Sequence, residues 1–317
     1  MKVFRTRYFL GLLSVLLAAA MAVADPAVVE LLSLGRMNDA ISVLVTRNDA
    51  ESMHLLSRAY YATEQWDEAA RYGEKAVALR SGDASYHLWL AREYGRKAAS
   101  ANPVSAAALA RKAKNEFERA VQLDPSSVEA RLDLAQFYTE APAIMGGGLD
   151  KARDQAAQVA KQQPAKSHLI LARVAEKERQ FTEAESQLRQ AIAQTEEPAE
   201  YWLELAEFYR LQGRPDDMQK AVQSAVAQRG IPADTYFDAA NELFEGGRDF
   251  PAAISYLKDY LASGELVEGA PAFRAHYLLG QLYEKTGRTP AAISEYQASL
   301  ALASGFDRAR KALSGLQ

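Results

Sequence analysis

The sequence contains no cysteine. That removes disulfides, thiolate metal sites, cysteine nucleophiles and attachment of a lipid through cysteine. A chain of 317 residues is long enough to hold itself together by hydrophobic burial, so it needs no cross-link. Histidine is scarce too: His54, His87, His168 and His276 are the whole supply, scattered along the chain. The G-x-S-x-G nucleophile elbow, the H-E-x-x-H zinc helix, the dinucleotide fingerprint and the G-x-x-x-x-G-K-[ST] phosphate loop are all missing. Beyond residue 24 no apolar run approaches the length of a spanning helix. Clustered basic charge is lacking as well, which argues against a nucleic-acid partner. The expectation is therefore a chain with no cofactor, no metal and no enzymatic activity.

What is present is hydrophobic and helix-favouring. Hydrophobic residues make up 49% and charged residues 25%, which suits an ordered protein. Alanine, the best helix former, is abundant. The first 24 residues have the form of an export signal. Lys2, Arg5 and Arg7 supply positive charge, Phe9 to Ala20 an apolar stretch, and Ala22-Val23-Ala24 a small-residue cleavage site before Asp25. Cleavage near Ala24 would leave a periplasmic or secreted protein. The alternative is retention, with residues 8–24 anchoring the chain in the inner membrane. Lys2, Arg5 and Arg7 are three of 37 basic residues set against 41 acidic ones, so the cleaved chain carries a formal charge of −7.

Sliding the chain along itself exposes a repeat. Trp202, Leu205-Ala206 and Tyr209 are followed nine residues later by Met218, and Leu279-Gly280 and Tyr283 are followed nine residues later by Ala292, then Tyr296. The same spacing appears in Leu56-Ser57, Tyr60, Trp66 and Ala69, in Leu171-Ala172 and Ala184, and in Phe244 and Ala253. Two copies are stretched. From Tyr94 to Ala113 there are nineteen residues, the surplus falling near 97–105 around Asn102-Pro103. From Tyr138 to Ala152 there are fourteen, the surplus falling in 141–148, which ends in Gly146-Gly147-Gly148. The first surplus predicts two lengthened helices with Pro103 at the turn or first helical position. The second predicts a widened turn that exposes Ile144 and Met145 for contact with a partner.

These marks resemble the tetratricopeptide repeat family, whose pattern is W-x2-L-G-x2-Y, then A-x3-F, then A and P, over 34 residues. The resemblance covers nearly all of the chain after residue 24. It implies an all-α fold: a right-handed superhelical solenoid of antiparallel helix pairs, stabilised by stacking of neighbours. Residues 25–49 form a degenerate leading repeat, 50–303 seven units, and 304–317 a capping helix. His87, His168 and His276 fall at the Trp position of their units, which points to packing and not to metal.

The resemblance also implies a protein or peptide partner, bound along the concave groove formed by the first helix of each unit. The groove positions are Arg58 and Tyr61, Arg92 and Arg96, Gln136 and Glu140, Arg173 and Lys177, Glu207 and Arg210, Asp238, Glu242 and Glu245, and Tyr277, Gln281 and Lys285. On this expectation the groove is cationic in its N-terminal half and anionic near the sixth unit. The chaperone-type carboxylate clamp needs Lys and Asn at set positions, where this chain has His54 and Arg58. The implied role is a periplasmic scaffold or adaptor in envelope assembly or secretion. A holdase-like helper for one client is the alternative, and a small-ligand receptor or enzyme a more remote one. Contact with a membrane is expected only if the signal segment is retained.

Overall fold

The computed structural model describes residues 25–317, and every helix boundary below belongs to that range. The export signal expected from the sequence falls on residues 1–24, outside the described residues. A short leading pair, α1 (Pro26–Ser33) and α2 (Met37–Leu44), precedes seven antiparallel pairs. These are α3 (Ala50–Ala62) with α4 (Trp66–Leu79), α5 (Ala84–Ser100) with α6 (Pro103–Leu123), and α7 (Val128–Glu140) with α8 (Leu149–Val159). Then come α9 (Pro164–Lys177) with α10 (Phe181–Ala193), α11 (Ala199–Leu211) with α12 (Pro215–Val226), α13 (Asp234–Glu245) with α14 (Phe250–Ser263), and α15 (Ala272–Lys285) with α16 (Thr289–Leu302). A last helix, α17 (Asp307–Ser314), follows. The described residues contain no strand, and the architecture is the expected helical solenoid.

The repeated small residues account for the close stacking. Ala69, Ala91, Ala113, Ala184, Ala206, Ala253 and Ala292 are all completely buried. At these points neighbouring backbones meet with only a methyl group between them. Gly280 goes one step further: a Cβ there would lie 2.4 Å from the ring of Tyr296, itself fully buried. The turn from first to second helix needs one residue in the left-handed region. Gly213, Gly247 and Gly287 supply it at no steric cost. Glu64 and Arg179 occupy the same slot with φ of 62° and 61°.

The two surpluses take different forms. The first lengthens α5 to 17 residues and α6 to 21, with the Asn102 side chain accepting from the Ser105 amide at 3.1 Å and Pro103 opening α6. The second is a 3-10 turn, Ala143–Met145, followed by Gly146 at φ 94°. Gly147 is obligatory here, because a Cβ would lie 1.9 Å from the Ala141 carbonyl oxygen. Lys151 donates to the Gly146 carbonyl at 3.0 Å, so the loop already uses its nearest cation. Ile144 is 81% exposed, whereas Met145 is half-buried.

No local pattern announces how the array ends. The leading pair and the closing helix do not cap opposite ends of an open spiral; they meet. Val28, Leu32, Met37 and Leu44 share one core with Phe273, Phe306 and Ala309. The Asn38 side chain donates to the Ala301 carbonyl at 2.9 Å and accepts from the Ser304 amide at 2.9 Å. Gly35 sits so close to the start of α15 that a Cβ would lie 2.7 Å from the Ala272 nitrogen. The array is therefore a closed ring.

Candidate functional site: the inner wall

The first helices of the seven units, α3, α5, α7, α9, α11, α13 and α15, form the inner layer, and neighbouring members touch. Most of the groove positions named from the sequence lie on this wall. The structure also shows what holds them. Arg92 donates to Asp133 at 2.5 Å and to Glu129 at 2.7 Å. Arg173 reaches Glu204 at 2.5 Å and Glu207 at 2.7 Å. Arg210 reaches Glu242 at 2.9 Å. Arg58 pairs with Glu268 across the junction of the two ends. Arg92, Arg173 and Arg210 each take a carboxylate from the unit that follows in the chain, whereas Arg58 takes one from the segment before α15, across the ring closure. Arg96 instead donates to the Tyr61 hydroxyl at 3.3 Å.

This pairing corrects the expected charge division. Of the cations of the N-terminal half, Arg58 and Arg92 are neutralised by acids from adjoining segments, and Arg96 alone of the three has a hydroxyl and no ion pair among the described residues. Arg173, in the fourth unit, is neutralised in the same way. Gln136 is occupied as well, donating to Glu140 at 2.9 Å. Tyr277 belongs to the packing, not the wall surface: its ring meets Phe306 at 5.2 Å and Tyr296 at 5.8 Å. Lys177, Gln281, Lys285 and Glu245 have no ion pair or side-chain hydrogen bond among the described residues. Ile144 and Met145 sit in the turn between α7 and α8, apart from the inner layer.

The anionic region near α11 and α13 does appear. Asp238 reaches solvent inside the ring, yet the wall around it thins the water it meets. That enclosure, with Asp234, Glu204, Glu242 and Glu200 nearby, pushes its carboxyl up to about 7. Glu204 is also raised to about 7, first by burial, against the pull of Arg173 and with further push from Glu207 and Glu200. Asp133 and Glu242 are raised mainly by burial, each opposed by its arginine. Burial is the first cause in all four, and at Asp238 the neighbouring carboxylates add to it with no cation opposing them.

Between α7, α9 and α11 the wall hollows into a depression of about 500 Å³. Its floor is apolar, from Leu132, Leu169 and Ile170, and its rim carries Lys166, Lys177, Glu140 and Glu204. A smaller depression of about 260 Å³, lined by Glu200, Leu203, Asp238 and Asn241, continues it toward α13. A wider concavity of about 730 Å³ lies between α10 and the end of α11. Its central carboxylate, Glu185, is already saturated by Tyr209, Arg189 and Arg214 and is held down to about 2, against the opposing effect of burial. It offers less unpaired polar chemistry than the inner depressions do.

Models of the tetratricopeptide repeat match residues 52–85, 169–228 and 237–309, together more than half of the chain. The chain belongs to the tetratricopeptide repeat family. No curated protein matches it. Among solved structures it is similar to a tetratricopeptide repeat protein from Parabacteroides merdae, at 12% identity and a TM-score of 0.44, covering 84% of this chain and 98% of that one. It is also similar to a thermophilic protein of the family from Thermus thermophilus, at 20% identity and a TM-score of 0.43, covering 69% and 96%. A third is the pilF protein of Pseudomonas aeruginosa, at 15% identity and a TM-score of 0.38, covering 72% and 96%. No residue role is carried over from these.

Within the tetratricopeptide array the histidines have structural partners. His87, His168 and His276 each face the second helix of their own unit, at Glu116 (2.5 Å), Gln187 (2.6 Å) and Glu295 (2.7 Å). His54 is buried, which pushes it down to about 3, with Arg58 adding to the effect. Among the described residues no group of three or more His, Asp or Glu is arranged to hold a metal ion. Two features escaped the sequence pattern. Trp89 stands on the wall between Arg58 and Arg92, whose guanidinium carbons lie 5.0 and 4.9 Å from its ring, with Tyr61 edge-on at 5.5 Å. Its position one turn before Arg92 was the available signal. Glu93, on the opposite face of α5, is fully buried, with neither carboxyl oxygen hydrogen-bonded.

Proposed function

We propose that this tetratricopeptide repeat protein is a non-enzymatic adaptor that holds a segment of a protein partner against its inner wall. Repeat arrays of this family serve in general as protein-binding scaffolds, and their extended concave faces are the binding surfaces. The observation that carries the reading is the depression on α7, α9 and α11. An apolar floor of Leu132, Leu169 and Ile170 inside a rim of both charges can take an apolar side chain and fix the groups on either side of it. Trp89, held rigid between two guanidiniums, supplies a second anchor of the type that dominates binding energy.

The segment it fits has apolar side chains for the depression and basic groups toward α11 and α13, where Asp238 and Glu204 sit in surplus negative charge. A holdase would need a broad continuous apolar surface. The wall instead carries charge at nearly every turn, which favours one defined partner over many unfolded clients. The signal-like form of residues 1–24 supports export to the periplasm, and envelope assembly or secretion is the setting such an adaptor would serve.

The test is a pull-down with the full chain as bait, comparing wild type with Lys177→Glu and Asp238→Lys on the wall and Lys220→Glu on α12. Recovery of a stoichiometric partner should fall about ten-fold for the wall variants, the size expected of a lost interface anchor. It should be unchanged for Lys220→Glu. Equal recovery by all four baits would show that the partner binds elsewhere.

A further inference from the structure

Closure of the ring gathers three arginines that lie far apart in the chain. Arg96 comes from α5, Arg274 from α15 and Arg308 from α17, and all three meet the end of α3 at Tyr61, Ala62 and Glu64. Arg274 donates through Nη2 to the Ala62 carbonyl at 2.9 Å, which satisfies part of the last turn of α3. The same nitrogen lies 3.9 Å from one oxygen of Glu64, and Arg308 reaches the other at 2.8 Å. Arg96 has only the Tyr61 hydroxyl, at 3.3 Å. These contacts help to hold the two ends together, and each arginine spends a single nitrogen on them.

The charges do not balance. Glu268, the nearest other acid of the junction, is taken by Arg58. Glu140 also acts on Arg96, so three arginines stand against two carboxylates, Glu64 and Glu140, and one positive charge is left over. An arginine cannot shed its proton to relieve this. The Arg274 side chain is 32% exposed, so water screens it only in part. Burial is the first reason its guanidinium is held below the ordinary value; Glu64 and Tyr61 oppose this, and Arg96 and Arg308 add to it. Arg92 and Arg173 go the other way: against burial, their carboxylates raise them. The two Nη atoms of Arg96, and Nε and Nη1 of Arg274, donate to nothing among the described residues. None of them is sealed from solvent.

We propose that Arg96 and Arg274, with Tyr61 beside them, form an anion site built by ring closure, which takes the carboxylate of an acidic side chain on the partner segment. The wall as partner site is the reading given under Proposed function, and the anion site rests on it. A guanidinium offers a planar fork that matches the two oxygens of a carboxylate. A surplus of one charge suits a carboxylate better than a phosphate ester, which brings nearly two and would meet Glu64. An open array would not have this site, because its arginines belong to units at the two ends of the chain. Its place also orders the segment. Arg96 on α5 lies on one side of the depression formed by α7, α9 and α11, and Asp238 on α13 lies on the other. The segment therefore runs from an acidic group through apolar side chains to a basic group, and it can lie on the wall in one direction only.

The test uses the free full chain and a tri-glutamate peptide, acetylated and amidated so that its only carboxylates are side chains. NMR of the arginine Nε–H groups follows the titration. The signals of Arg96 and Arg274 should shift and saturate with this peptide and stay still with a tri-glutamine peptide of the same form. Arg96→Gln should weaken binding about five-fold or more, the upper range for an ion pair open to solvent. Lys220→Gln on α12 should leave it unchanged. Arg96 is exposed and bonded only to Tyr61, so its loss spares the closure. If that variant fails to fold, Arg308→Gln decides: its side chain is 63% exposed, and its removal leaves Glu64 to neutralise Arg274, so binding should weaken again. No saturable shift, or equal affinity in the arginine variant, overturns the site. Tighter binding of inorganic phosphate than of the peptide overturns the acidic side chain as its ligand. The two readings fail separately. A wrong wall shows as Lys177→Glu keeping its partner in the pull-down while the free protein binds the peptide. A wrong anion site shows as a free protein that ignores the peptide while Lys177→Glu loses its partner.

Discussion

Arg58 and Glu268 are 210 residues apart in the chain, yet they form a two-pronged ion pair, with the arginine Nε donating to Oε1 at 2.9 Å. The side chains are 21% and 19% exposed, so water screens the pair only in part. Arg58 also lies over Trp89, which ties the junction of the two ends to the aromatic patch on the wall. Removing either partner leaves a half-buried charge unmatched. Arg58→Ala and Glu268→Ala should each cost on the order of 1–3 kcal/mol, between the values for exposed and buried pairs. The double variant should cost less than the sum of the two. Urea unfolding of the four proteins checks this, and strict additivity would show that the contact carries no coupling.

Glu93 should make stability depend on pH. Its carboxyl is held well above 4.5, first by burial and also by Glu74, with the nearby Ser57 hydroxyl acting in the opposite direction. Gly73 leaves the space for it: a Cβ there would lie 2.0 Å from Oε2. A raised carboxyl binds its proton more tightly in the folded chain. Its contribution is therefore fully present below the ordinary carboxylate range and is lost as pH rises through the folded value. Glu93→Gln removes this titration. Its stability relative to wild type should improve from pH 5 to pH 8 by on the order of 1–3 kcal/mol, the cost of an unmatched buried polar group. Urea midpoints across that range provide the measurement.

Asp238 and Glu204 extend the same sign to the wall. Both carboxyls are raised to about 7, so each still holds protons near neutrality and loses them as pH passes 7. The wall is accordingly more negative at pH 8 than at pH 6, and a basic segment should bind more tightly at pH 8. Glu204→Gln removes one of the charges acting on Asp238, so the Asp238 midpoint should fall. Carbon-detected NMR of the labelled carboxyls follows it, and an unmoved midpoint would mean that the two groups do not sense each other.

Arg179 holds a turn that its relatives in the array give to glycine. Its φ is 61°, with its amide bonded to the Glu176 carbonyl and that of Gln180 to the Ala175 carbonyl. A non-glycine residue in this region costs about 1–2 kcal/mol, partly offset by the entropy glycine loses on folding. Arg179→Gly should therefore stabilise the protein by roughly 0.5–1 kcal/mol, read as a rise in thermal midpoint.

The helices were legible because their contacts are local. Leu90-Ala91 and Tyr94 announce a first helix, Ala113 and Phe117 a second, and Asn102-Pro103 marks the turn between them. The Gly146 to Gly148 loop was legible for the same reason: three glycines have few other uses. Ring closure was not. It depends on small rotations between units added over the whole array, and Asn38 and Ser304 carry no mark that they will meet. The wall was half legible. Helical spacing put Arg92, Arg173 and Arg210 on it, but their neutralisation by Asp133, Glu204 and Glu242 comes from helices in the following units. A single-helix pattern cannot show which charge will face which.

The central claim is that a partner segment lies against the inner wall of a closed ring. Site-specific photo-crosslinking in intact cells tests it most directly, with the reactive side chain placed at Leu169 on the wall or, for comparison, at Lys220 on α12. The account predicts one discrete protein adduct from position 169 and none from position 220. Adducts of equal yield from both positions, or an adduct from position 220 alone, would contradict it.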